Sequence, residues 1–173
     1  APEVAAVMDN VVQRMYDALT LDELANAGYE TIWKFITPQE RTVLATKYWT
    51  FDVNVPVVVS VMRHNEQEVA PFWLAEAGFQ KTALAVRNEL NVYEVWQKRF
   101  EAGRVELGIN GFDKHRPHYF VAVGPQRPGT PLRVTNLMPA AYSKSLMCEG
   151  ALTYHDWTEL VLEEVPPELT GHV

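Results

Sequence analysis

The sequence predicts a mainly β fold, an antiparallel β-sandwich preceded by two or three α-helices. From Val55 to Leu137, side-chain character repeats every second residue in short runs, and glycine, proline or Asn-Gly interrupts the chain between them. Before residue 50, apolar residues recur instead at three- and four-residue steps, close to helix-capping signals. The chain is therefore expected to change from helical to extended structure near residue 50.

One apolar stripe predicts the first helix. Its members are Val4, Val7, Met8, Val11, Val12, Met15, Tyr16 and Leu19. Steps of three and four residues place these side chains on one face of an amphipathic helix, which we expect from about Glu3 to Ala18.

Capping signals predict two further helices. Thr20 with Glu23 fits a capping box that opens a short helix ending at Gly28. The run Thr37-Pro38-Gln39-Glu40 repeats that pattern with proline at the first helical position, so a helix is expected from Pro38 to about Thr46. Aromatic residues flank this helix at alternating positions, which favours extended chain there: Trp33, Phe35, Trp49 and Phe51.

The predicted strands are 55–62, 72–74, 82–86, 92–100, 104–109, 119–123 and 132–137. Because Gly103 allows a tight connection, strands 92–100 and 104–109 are expected to form a hairpin. On strand 92–100, the face with Trp96 and Phe100 is assigned to the core, and Lys98 is placed near an edge. Glu94 shares this face and has no explanation in the sequence.

Three segments follow from this pattern: a helical extension at 1–50, the β-sandwich at 51–138, and a C-terminal extension or linker at 139–173. Beyond Pro139 the pattern weakens to a short strand at 151–154 and an acidic tail. The pair Pro166-Pro167 is typical of a linker or a boundary. The chain is therefore expected to be a fragment of a longer protein.

Charge and hydropathy exclude two classes of partner. With 22 acidic and 15 basic residues the formal net charge is -7, which disfavours nucleic acid. The longest apolar run, 55–62, is interrupted by Pro56 and Ser60 and is far shorter than the ~20 residues of a membrane helix. Ala1-Pro2-Glu3 lacks an initiator methionine, so we expect a removed leader and export to the periplasm or the exterior.

The strongest candidate site is the polar loop 110–118. Its charged and titratable residues are Asp113, Lys114, His115, Arg116 and His118. We expect this loop to contact a partner or a ligand. Two other interpretations stay open, namely a plain tight turn at Asn110-Gly111 and the binding of a carboxylate or phosphate by the two cations.

A metal site is the weaker alternative for the same loop. Asp113, His115 and His118 offer one oxygen and two imidazoles for a divalent ion, and His64 or His155 is available to complete the shell. His115 and His118 would point to opposite faces if both were extended, and the proline between them leaves their geometry open.

No catalytic residue is predicted. The patterns GxSxG, GxxxxGK, GxGxxG and HExxH are all absent. His155 beside Asp156 is interpreted as structural, and His64 as a solvated turn residue. Cys148 is the single cysteine, which rules out an internal disulfide, and we expect it to be a small buried hydrophobic residue.

Two stretches carry a family resemblance: PFWLAEAGF at 71–79 and YEVWQKRFEAGRVELGINGFDKHRPHYFVAVGPQ at 93–126. They resemble the region preceding the catalytic domain in bacterial exported metallophosphoesterases of the purple acid phosphatase type. The resemblance covers about residues 50–138 and implies a fibronectin-III-like or immunoglobulin-like sandwich. It also implies a partner catalytic domain that holds divalent metals and hydrolyses phosphate esters. The ligand motifs of such enzymes, GDxxD, GNHE or GNHD, and GHxH, are missing here, so no metal ligand carries over and no cofactor is expected in this chain.

These observations predict a non-catalytic accessory or docking module of an exported metal-dependent phosphoesterase, whose partner is a catalytic domain or subunit. One alternative is a small metal-binding protein or enzyme that uses Asp113, His115 and His118. Another is a structural subunit of a hetero-oligomer, with Trp49, Phe72 and Trp73 exposed at the contact.

Overall fold

The computed structural model describes residues 1–113, 118–154 and 160–173. Four helices precede the first strand within residues 1–48: α1 (Pro2–Ala18), α2 (Leu21–Ala25), α3 (Tyr29–Trp33) and α4 (Pro38–Thr46). The α3 turn was not predicted, because the alternating aromatics favoured extended chain at Trp33. Helices before the first strand are confirmed, and they number four rather than two or three.

Local chemistry explains where these helices begin. Thr20 and Thr37 both form complete capping boxes, in which the threonine hydroxyl accepts from the N–H of Glu23 or Glu40 and each glutamate accepts from the threonine N–H. The buried stripe of α1 consists of Val4, Val7, Val11 and Met15. It forms a helical cluster with Ala27, Leu44 and Ile109, so the helices pack on the β region.

The strands form two antiparallel sheets. Their bounds are β1 (Trp49–Val53), β2 (Val57–His64), β3 (Gln80–Asn88), β4 (Val92–Phe100), β5 (Gly103–Leu107), β6 (Phe120–Pro125), β7 (Val134–Met138) and β8 (Leu162–Glu164). One sheet has the order β5-β1-β7 and the other the order β6-β2-β4-β3-β8. A mainly β fold with two antiparallel sheets and several helices is therefore confirmed.

Two local predictions are wrong. Strands β4 and β5 do not form a hairpin, because β4 pairs with β2 and β3 whereas β5 pairs with β1 in the other sheet. Gly103, at a φ of 133°, makes a connection between the sheets rather than within one. Residues Phe72–Glu76 form the short helix α5 instead of a strand, with Pro71 at the N-cap position. A three-residue apolar run is too short to distinguish the two periods.

Apolar side chains cover both faces of the five-stranded sheet. The inner cluster lies between the sheets and includes Phe51, Val53, Val57, Val59, Val61, Val105, Leu107, Val123 and Val134. The outer cluster lies on the opposite face and includes Met62, Val86, Tyr93, Val95, Ala122, Met147, Leu162 and Leu169. Trp96 and Phe100 do pack against the inner cluster, but Tyr93 and Val95 on the other face of β4 are more deeply buried.

The C-terminal residues pack on the edges of this sheet. Strand β8 pairs with β3 at one edge. At the other edge, the N–H of Val123 donates to the carbonyl of Val173 at 2.7 Å, and the N–H of Val173 donates back at 2.9 Å. Met147 in turn bonds to His172, so the tail crosses to the β6 edge. Within the described ranges, none of the helices has the length and apolar character needed to cross a membrane.

Candidate functional site

Three loops meet where β2 ends and β4 begins, and we call this region the loop end: residues 64–71, 88–91 and 108–113. Side-chain hydrogen bonds join them. His64 Nε2 lies 2.8 Å from Asn91 Oδ1, Gln67 Nε2 donates to the carbonyl of Asn110 at 2.7 Å, and the N–H of Glu68 donates to Asp113 Oδ2 at 3.1 Å. These hydrogen bonds connect the three loops to one another.

A buried ion pair lies beneath the loop end. Arg63 and Glu94 are opposite one another on β2 and β4, with Arg63 Nη1 3.2 Å from Glu94 Oε1 and side chains only 7% and 14% exposed. Lys81 makes a second ion pair to Glu94, and Trp96 Nε1 donates to it at 2.9 Å. Register across β2 therefore explains Glu94, which the sequence alone left without a role.

Electrostatics keep this pair charged. Burial raises the pKa of Glu94, but hydrogen bonds from Lys81 and Trp96 and the charge of Arg63 outweigh burial and bring the pKa below its ordinary value. Burial is the main cause that lowers the pKa of Arg63, while Glu94 and Asp113 oppose it. Arg63 Nε and Gln67 Oε1 are buried without a hydrogen-bond partner among the described residues. A buried polar group that stays unpaired costs stability.

Two of the predicted site residues, Asp113 and His118, lie in the described part of the chain. Asp113 lines a cavity of about 320 Å³ beside Tyr29, Glu68 and Phe112. His118 lines a different cavity, of about 600 Å³, beside Tyr119 and Tyr154. Lys114, His115 and Arg116 lie outside the described residues. Asp113 and His118 thus share no cavity, and no group of three potential metal ligands occurs in the described part of the chain.

His118 is held as a neutral ring. Its Nδ1 lies 2.8 Å from the carbonyl of Tyr119, and its ring stacks on Tyr48 with centroids 5.1 Å apart. Burial lowers the pKa of His118, although the bond to Tyr119 raises it. Because the carbonyl only accepts, Nδ1 carries the proton, and Nε2 of the neutral ring is an acceptor.

The larger cavity, which we call the edge slot, follows the outer edge of β6. Side chains of both clusters line it, among them Phe51, Val123, Val134, Met147 and Leu162. An aromatic group covers one wall, where Trp49 stacks on Tyr142 with centroids 4.5 Å apart and lies 5.8 Å from Tyr119. A volume of this size with mostly apolar walls is within the range of ligand cavities.

Several residues interpreted from sequence have other surroundings in the structure. His64 is buried and bonded, because it ends β2 rather than sitting in the turn after it. Cys148 is exposed rather than buried. Trp73 is buried and donates from Nε1 to the carbonyl of Ile109 at 2.7 Å, so it is not an exposed contact. His155 and Asp156 lie outside the described residues.

Sequence reasoning missed the residues of the edge slot and the buried polar groups of the loop end. Tyr119 was treated only as a strand residue, yet its hydroxyl donates to the carbonyl of Gly108 at 2.6 Å and burial raises its pKa well above the ordinary value. Arg63 and Gln67 carried one available signal, since charged and amide side chains followed an otherwise apolar strand.

No protein family, no curated protein and no solved structure matches this chain.

Proposed function

We propose that this chain is a non-catalytic accessory module that docks a partner catalytic domain through the loop end. The observation that carries the proposal is the convergence of three loops, cross-bonded through His64, Gln67 and Asp113, above the Arg63–Glu94 ion pair. A loop surface on a sheet scaffold is typical of binding regions in β proteins.

The resemblance supplies the identity of that partner in the proposal. The chain is a fibronectin-III-like sandwich of an exported phosphoesterase of the purple acid phosphatase type, and the divalent metals belong to the partner domain. The arrangement of β strands into two antiparallel sheets supports this. In this proposal the surface around Glu68 and Asp113 faces the catalytic domain.

An activity assay tests the non-catalytic part. The isolated chain is incubated with p-nitrophenyl phosphate and with bis-p-nitrophenyl phosphate, in the presence of Mn²⁺, Zn²⁺ or Fe³⁺. We expect no turnover above the metal-only blank. Turnover that disappears in Asp113→Ala or His118→Ala would contradict the proposal.

Photo-crosslinking tests the docking surface. The photoreactive residue p-benzoylphenylalanine replaces Glu68 at the loop end or Glu101 at the opposite end of β4; both side chains are exposed. The chain is produced together with the polypeptide encoded beside it or in continuation of it. We expect mass spectrometry to find cross-linked peptides of the catalytic domain from position 68 and not from position 101. Cross-links from position 101 alone would place the contact elsewhere.

A further inference from the structure

A smaller cavity opens at the loop end, and we call it the loop-end cavity. Its volume is about 320 Å³, near the lower limit of ligand cavities. Three internal segments of the chain line it: 26–29 at the start of α3, 68–72 between β2 and the start of α5, and 111–113. A cavity of this size suits one small chemical group, so the nature of its walls decides which group it can bind.

Aromatic rings form part of the wall of this cavity: Tyr29, Phe72 and Phe112. The centroids of Tyr29 and Phe112 lie 6.2 Å apart, with their planes at 47°. Trp33 contacts two of the three rings, at 5.7 Å from Tyr29 and 4.8 Å from Phe72. The face of an aromatic ring attracts cations. This aromatic group already binds one cation, since Arg41 Cζ lies 4.7 Å from the ring centroid of Trp33 and 5.3 Å from that of Phe72.

Two carboxylates add negative charge to the lining. Asp113 Oδ2 accepts from the N–H of Glu68 at 3.1 Å, and an ionised carboxylate has lone pairs for further donors. The side chain of Glu68 is exposed. Within the described ranges, neither lysine nor arginine lines the cavity. The charge of the lining therefore favours a cation over an anion.

Two arginines lie near the cavity, but each already has a counter-charge. Arg41, which contacts Phe72, forms an ion pair with Glu76. Arg63 lies beneath the loop end and is paired with Glu94. These arginines therefore leave the lining acidic. The cavity thus combines aromatic walls with negative charge, and this is the chemistry that recognises organic cations.

We propose that the loop-end cavity binds an alkylated ammonium group, carried either by a small molecule or by a methylated lysine side chain. The methyl groups of the ligand contact the aromatic wall, and its positive charge is attracted by Glu68 and Asp113. Aromatic walls of this kind are typical of sites for quaternary ammonium groups. The site lies at the loop end but does not depend on the docking proposal, because the isolated chain is expected to bind the ligand without a partner.

Ligands of matched shape test the role of the charge. Choline, the uncharged 3,3-dimethylbutanol and the anion 3,3-dimethylbutanoate are each titrated with the isolated chain, and the NMR signal of their methyl protons measures binding. We expect choline to bind with a dissociation constant on the order of a millimolar, and the alcohol to bind about tenfold more weakly because it lacks the cation. The anion should not bind.

A blocked peptide, glycine–trimethyllysine–glycine, distinguishes the two sources of the ammonium group. Tighter binding of the peptide than of choline would assign the group to a polypeptide side chain. Tighter binding of choline would assign it to a small molecule.

Variants test the location of the site. Tyr29→Leu removes one ring of the wall and should weaken choline binding about three- to tenfold, whereas Tyr29→Phe keeps the ring and should bind like the unaltered chain. Glu68→Gln should weaken binding about two- to threefold. Its control is Glu30→Gln, because Glu30 is an exposed acid beside Tyr29 that is not part of the lining. Melting curves show whether each variant is folded. Nuclear Overhauser effects between the choline methyl groups and the rings of Tyr29 and Phe112 supply a readout without mutation.

Each outcome decides the proposal. Equal affinity for choline and the uncharged alcohol would show that the cavity takes apolar groups regardless of charge and would overturn it. Choline binding that produces no Overhauser effect to either ring, or that is equally weakened by Glu68→Gln and Glu30→Gln, would place the ligand elsewhere and overturn it too. So would the absence of choline binding at tens of millimolar. The cross-links from position 68 report on docking separately, so the two proposals fail independently.

Discussion

The loop end and the edge slot arrange their polar groups in opposite ways. At the loop end, side chains bond to neighbouring loops, and a buried ion pair lies underneath. The edge slot is instead lined mainly by apolar and aromatic side chains, with Trp49 stacked on Tyr142. The two regions thus differ in what they offer a ligand: cross-bonded polar groups at the loop end, and apolar surface in the slot.

The largest expected effect comes from breaking the scaffold of the loop end. Glu94→Gln leaves Arg63 buried without its counter-charge, so the free energy of unfolding should fall by about 3–5 kcal/mol. Urea denaturation measures this change in the free energy of unfolding. The control Glu163→Gln lies on the exposed β8 edge, where the pair with Arg87 is 3.8 Å long, and should cost less than about 1 kcal/mol. Equal losses for the two variants would show that burial of the pair has no energetic consequence.

A smaller effect is expected from detaching the tail at the edge slot. A Cβ on Gly124 would overlap the imidazole ring of His172, so Gly124→Ala must displace that ring. We expect a loss of about 1–3 kcal/mol, typical of overpacking, together with faster exchange of the Val123 amide. Gly28→Ala is the control, since nothing lies within 4 Å of its Cβ position. Unchanged exchange at Val123 would mean that the tail does not depend on this contact.

Mild acid should destabilise the surroundings of His118 and His172 more than the surroundings of Glu94. Burial lowers the pKa values of His118 and His172 from the ordinary 6.5. The unfolded chain then binds more protons in acid, so the stability that these rings contribute is complete above about pH 6.5 and declines below it. Glu94 has a pKa below its ordinary 4.5, so its contribution is present above that pH and is lost only as the pH falls further.

Hydrogen exchange from pH 7 to pH 5, corrected for intrinsic rates, measures this difference. Protection of the Val123 amide should fall, while the Glu94 amide keeps its protection. The variants His118→Gln and His172→Gln, combined, should flatten the response at Val123. A response that persists in the combined variant would assign it to other groups.

The smallest expected effect is the response to zinc. Asp113 and His118 line different cavities, and both already have hydrogen-bond partners. Calorimetric titration of the isolated chain with zinc at micromolar concentration should therefore give no saturable heat. Saturable heat that is lost in His118→Gln would support a metal site that includes His118.

Local signals in the sequence predicted local structure well. The capping boxes at Thr20 and Thr37 and the period-two run that became β2 depend on residues close in the chain, and the structure confirms them. The predicted hairpin between β4 and β5 was wrong, because a flexible glycine turn fits a connection within a sheet or between sheets equally well.

The site was less predictable than the fold for a physical reason. The edge slot is lined by residues far apart in the chain, among them Trp49, Val123 and Val173, and no local pattern encodes their meeting. Likewise, the role of Glu94 depends on the register that brings Arg63 opposite to it. The loop 110–118 was identified as polar and charged, but the sequence left open whether its side chains converge. Among its described residues, Asp113 and His118 line different cavities.

The apolar covering on both faces of the five-stranded sheet has a consequence for folding. In a sheet with one solvent-exposed face, a register shift of one residue moves the apolar side chains of a strand into water, which makes the shifted register unfavourable. Here apolar clusters cover both faces of the five-stranded sheet, so the free-energy cost of a shifted register is small. Correct alignment then depends on buried polar matches, Arg63 with Glu94 and Ser60 Oγ with Gln97 Nε2 at 3.0 Å. Both polar pairs form in only one register of β2 against β4, so they select that register.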